Sequence, residues 1–68
     1  MTYPELKRRL QRLGVILHRQ GKRHEIWLLP TNGRRTSIPR HADEVPSGLL
    51  RSILRDLDIP LETLRRDS

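Results

Sequence analysis

Sixty-eight residues, 34% of them hydrophobic, leave room for one small domain spanning 1–68, without a deep cleft or a large core. The absence of cysteine excludes a disulfide framework and a thiolate metal site. No apolar run approaches the roughly 20 residues of a membrane span, and the first residues lack a signal-peptide core, so a cytoplasmic protein without membrane contact is expected.

The first segment reads as a helix. Thr2-Tyr3-Pro4-Glu5 fits a capping box with Thr2 as N-cap, and proline is tolerated in the first turn. Leu6, Leu10 and Leu13 make one apolar stripe at helical spacing. Lys7, Arg8, Arg9 and Arg12 cover the other sides, most simply as a solvated back. Gly14 is placed to end the helix.

Three short strands follow. The first is Val15 to Gln20, the second Arg23 to Leu29, and the third Arg34 to Ile38. Gly21-Lys22 turns the chain once, glycine permitting φ > 0 and so making a tight turn cheap. Pro30-Thr31-Asn32-Gly33 turns it again, Asn-Gly being a strong hairpin signal. In the second strand both faces carry apolar residues, so pattern alone leaves open which face is buried. After Pro39 comes a polar loop, then a second helix with Ser47 as expected N-cap. Leu49, Leu50, Ile53, Leu54 and Leu57 form its apolar face. Asp56 and Asp58 near its end would pair with Arg55 or a partner. Pro60 opens a short last helix. The order predicts an α+β two-layer domain, helix, three-stranded antiparallel sheet, helix and short C-terminal helix.

The charge is unevenly distributed. Residues 1–40 carry ten Lys/Arg against two acids, a balance of +8, whereas residues 41–68 carry four against six, a balance of −2. Twelve of the fourteen cations are arginine, the side chain suited to bidentate phosphate contacts. A polyanion is the natural partner, a nucleic acid or an acidic protein.

Within the basic part, Gly21-Lys22-Arg23-His24-Glu25-Ile26-Trp27 places a histidine just past a turn and among cations. Histidine is the side chain whose ordinary pKa suits proton transfer near neutrality, and Lys22 and Arg23 are placed to hold a phosphate. A plainer reading is a surface hairpin with a solvated histidine. His41, in a Pro-Arg-His loop, is a candidate second proton-transfer group, although a histidine there is more often structural or exposed. His18 reads as structural or exposed. Trp27, one of only two aromatics, reads as core rather than as a base-stacking platform. No carboxylate or cysteine cluster has ligand spacing, so neither metal nor cofactor is expected.

Several features recur together: Gly14 after the leucine-striped helix, Gly21 and His24 before Ile26-Trp27, and Pro30 six residues after His24. Asn32-Gly33-Arg34, Ile38-Pro39-Arg40-His41 and the run Gly48 to Arg55 continue the set. As a set they resemble the HicA (YcfA-like) toxins, small mRNA interferases of toxin–antitoxin pairs. The family's usual Gly-Ser-His is here Gly21-Lys22-Arg23-His24, without the serine, and alignment on Pro30 puts His24 at the catalytic position. The resemblance implies a double-stranded-RNA-binding-domain-like fold, the toxin of a type II pair, and a HicB-type antitoxin as protein partner. It also implies a metal-independent endoribonuclease acting on mRNA. RNA would be contacted through Lys22, Arg23, Arg34 and Arg35, if these surround His24. The alternative is a non-catalytic RNA-binding module of the same fold, in which His24 is only a contact.

Overall fold

A computed structural model of the chain describes residues 1–66. Helix α1 (Tyr3–Arg12) is followed by strands β1 (Ile16–Gln20), β2 (His24–Leu29) and β3 (Arg34–Pro39), then helices α2 (Ser47–Leu57) and α3 (Leu61–Arg66). The strands form an antiparallel sheet in the order β1-β2-β3. This is the small α+β arrangement of a double-stranded-RNA-binding-like domain.

The core forms because each element offers one apolar face to the same layer. Tyr3, Leu6 and Leu10 of α1 and Ile53, Leu54 and Leu57 of α2 are buried, as is Leu64 of α3. They meet Trp27 and Leu29 of β2 and Ile38 of β3, with Val15, Val45 and Ile59 filling the margins. All the helices thus cover one face of the sheet. β2 alternates accordingly: Glu25, Trp27 and Leu29 point inward, while His24, Ile26 and Leu28 lie on the uncovered face. The apolar Ile26 and Leu28 on that open face are why alternation alone could not identify the buried side.

Caps define the ends. Thr2 Oγ1 accepts from Glu5 N at 3.3 Å, while the Glu5 carboxylate, expected to reach back to Thr2, takes Arg9 one turn on at 3.4 Å. Gly14 follows α1 at φ +93°, a left-handed conformation favouring glycine. In α2 the N-cap is Pro46, not Ser47, and no side chain caps it. Pro46 enters at ψ 143°, outside the helical region, and its O accepts the first helical bond from Leu50 N.

The far end of α2 is held by the β2–β3 turn. Asn32 Nδ2 donates to Leu57 O at 3.0 Å and Arg34 Nε donates to Asp56 O at 2.7 Å. These bonds satisfy carbonyls that a helix end leaves unpaired, and the cation suits the negative end of the helix dipole. Asp56, expected to pair with Arg55 or a partner, accepts from Thr36 Oγ1 at 3.0 Å within the fold. Asp58 takes the left-handed cap position at φ 58°.

Candidate active site at the first hairpin turn

The turn between β1 and β2 is built tightly. Gln20 pairs with Glu25, and beyond that pair Gly21 N donates to His24 O at 2.8 Å, with Lys22 and Arg23 at the tip of the turn. Gly21 does not use the positive φ that glycine permits. The requirement is proximity: a Cβ there would lie 2.9 Å from the His24 carbonyl oxygen. His24 itself begins β2, exposed, opposite Pro39 of β3.

Arg40 clamps this turn from the other side. Its Nη1 donates to Gly21 O at 3.1 Å and its backbone N to Arg23 O at 2.9 Å. The guanidinium Nε also lies 3.8 Å from Glu25 Oε2. Glu25 is 8% exposed and is an ion that needs partners. Lys7 Nζ of α1 sits 2.7 Å from its Oε1, and Trp27 Nε1 donates to the same oxygen at 3.2 Å. Burial alone would push the Glu25 carboxyl up, but the bonds from Lys7 and Trp27 and the charges of Lys7 and Arg40 outweigh it. The group is held below the ordinary glutamate range. A buried carboxylate thereby ties α1, the turn and the segment after β3 into one unit behind His24.

A cavity of about 460 Å³ opens at this unit, lined by Lys22, Arg23, His24, Pro39, Arg40 and His41. His41 is exposed, with its ring 5.6 Å from the buried ring of Tyr3. The loop that carries it is fastened to the start of α1 by Tyr3 N donating to Asp43 O at 3.0 Å. Two histidines and three cations thus face one space, an arrangement able to bind a phosphate and move protons around it.

Arg34 and Arg35 do not join this group. His24 is opposite Pro39 and Leu29 opposite Arg34, five residues apart along an extended strand, about 17 Å. Arg34 is spent on the end of α2, and Arg35 lines a different cavity with His18 and Arg19. Arg40 takes the place beside His24 that the sequence reading gave to these two.

A family model described as the HicA toxin of bacterial toxin–antitoxin pairs matches residues 3–59. The chain belongs to the HicA toxin family. It is therefore of the toxin side of such pairs, and an antitoxin partner goes with that membership. No curated protein matches the chain. The matched span contains every residue of the His24 cavity.

In this HicA chain Gly21, Lys22 and Arg23 connect β1 to β2, and His24 starts the strand. Three residues that organise the site, Lys7, Glu25 and Arg40, were not singled out from sequence. Glu25 carried a usable signal. It is one of two acids in the first 40 residues and stands at the same parity as Trp27 and Leu29, so once that face is the buried one it demands cationic partners. Among the described residues no group of three or more His, Asp or Glu converges, and no helix is long and apolar enough to cross a membrane.

Proposed function

We propose that this HicA-family toxin is an endoribonuclease that cuts mRNA in the cytoplasm, with His24 as a catalytic acid–base group. The observation that carries the reading is the shared cavity of His24 and His41 with Lys22, Arg23 and Arg40. One neutral histidine takes the proton of a ribose 2′-OH as that oxygen attacks the adjacent phosphorus. The other, protonated, gives a proton to the departing 5′-oxygen. The products are a 2′,3′-cyclic phosphate and a free 5′-hydroxyl. The nucleophile is internal to the substrate and already positioned, so the step calls on neither metal nor cofactor. The three cations face the charge that builds on the phosphorane. A HicB-type antitoxin is the partner that silences the site.

Purified protein is incubated with mRNA in excess EDTA. Cleavage is expected to persist, and the His24→Ala variant is expected to lose about 10²–10⁴-fold in rate while still binding RNA. Activity that vanishes on chelation and returns with magnesium refutes the metal-free step. Wild-type protein that binds RNA without cutting it assigns the chain to the non-catalytic binding class. The same assay on His41→Ala tests the second proton-transfer group.

A further inference from the structure

The uncovered face of the sheet holds a second cavity, of about 480 Å³, whose lining includes His18, Arg19, Ile26, Arg35 and Ser37. Its construction is specific. β1 and β2 lose register between Leu17 and Arg19, so that Leu17 pairs with Trp27 and Arg19 already pairs with Ile26. This bulge crowds His18 and Arg19 together at one position. Ser37 lies opposite Ile26 and Arg35 opposite Leu28, which puts a guanidinium on each flanking strand and an apolar floor between them. Ile26 is half-buried. Neither Arg19 nor Arg35 has a hydrogen-bond or ion-pair partner for its side chain among the described residues. Thr36 of β3 and Asp56 of α2 complete the lining, with Thr36 Oγ1 donating to the Asp56 carboxylate. The fold therefore makes no use of these two cations.

The position of this cavity relative to His24 indicates its occupant. His24 and Ile26 share the open face two residues apart on β2, about 7 Å in an extended strand, a span that one nucleotide bridges. We propose that the cavity is a second RNA subsite, holding one unpaired nucleotide next to the one cut at His24. Its flanking phosphates rest on Arg19 and Arg35, and its base lies on Ile26 and against the His18 ring. The inference builds on the His24 reading and adds the substrate class: single-stranded RNA, laid across the open sheet. In a duplex the bases are stacked and paired, and only a splayed strand offers their faces to a histidine or a guanidinium plane.

The test uses the full chain carrying His24→Ala as parent, with a labelled single-stranded oligoribonucleotide and the same oligonucleotide annealed to its complement. The parent is expected to bind the single strand more tightly. Adding Arg19→Ala and Arg35→Ala is expected to weaken single-strand binding. It should also flatten the dependence of log affinity on log salt by about 1.4, two phosphate contacts on a single strand. Both side chains are exposed and unpartnered, so the fold is not at stake. Three results each overturn the proposal: unchanged affinity and salt slope in the triple variant, equal binding of duplex with equal sensitivity, or an effect confined to antitoxin affinity. Failure of the His24 reading is separate, and shows as wild-type protein that binds RNA normally and leaves it uncut.

Discussion

Glu25 is the residue on which the site's rigidity turns. Its carboxylate is ionised and buried, bonded to Lys7 and Trp27 and facing Arg40. Its folded pKa is depressed, so it contributes stability that is fully present above its unfolded pKa and fades as pH falls through the lower folded value. Glu25→Gln keeps an acceptor for Trp27 but removes the charge that Lys7 and Arg40 face. It is expected to destabilise by about 1–3 kcal/mol at neutral pH, the scale of hydrogen bonds to charged groups. Urea melts of both proteins from pH 7 down past the ordinary glutamate range check this: the gap should close toward acid. A gap that stays constant with pH would show that the ionised form is not what stabilises the fold.

At the scale of elements, the first hairpin depends on a contact that only glycine allows. Gly21→Ala would press a methyl into the His24 carbonyl at 2.9 Å, a backbone atom that cannot swing aside. The turn must open, at a cost of order 1–3 kcal/mol, and His24 and the Arg40 contact to Gly21 O must shift with it. Cleavage is expected to fall well beyond what the loss of stability explains, with the α2 end of the molecule unmoved in amide exchange. Full activity in Gly21→Ala would show that the turn's geometry does not govern the site. The helices and strands themselves were legible in the sequence, because leucine spacing, Gly14 and Asn32-Gly33 are local signals. What was not legible depends on contacts across the chain. The buried side of β2 was hidden by Ile26 and Leu28, which serve the open face. Arg34 looked like a phosphate ligand, and its role at the end of α2 follows only from the docking of that helix on β3. The Gly21 requirement came from a carbonyl three residues on, which composition does not reveal.

The whole molecule measures only 29 × 24 × 19 Å, two to four Debye lengths of about 8 Å at physiological salt. Charges farther apart than one such length are screened from one another, so an approaching polyanion feels chiefly the cations of the face it meets, most of which lie in residues 1–40 with their balance of +8. Those residues supply Lys22, Arg23 and Arg40 to the His24 cavity and Arg19 and Arg35 to the open face. An antitoxin that silences the toxin by covering these surfaces has to replace the phosphates' negative charge, so its contact face is expected to be acidic. Complementarity of this kind acts chiefly on the rate of encounter and the choice of partner. The antitoxin should thus associate faster as ionic strength falls and should compete with RNA. The rival arrangement docks the antitoxin on the exposed side of α2, around Arg51 and Arg55, and leaves His24 open. Labelled single-stranded RNA bound to the His24→Ala protein, titrated with antitoxin, separates them. Occlusion predicts stoichiometric release of the RNA, with a midpoint that moves as RNA concentration is raised. A stable ternary complex with RNA still in place would mean that inhibition works away from the cavity, and that the basic surface is reserved for RNA alone.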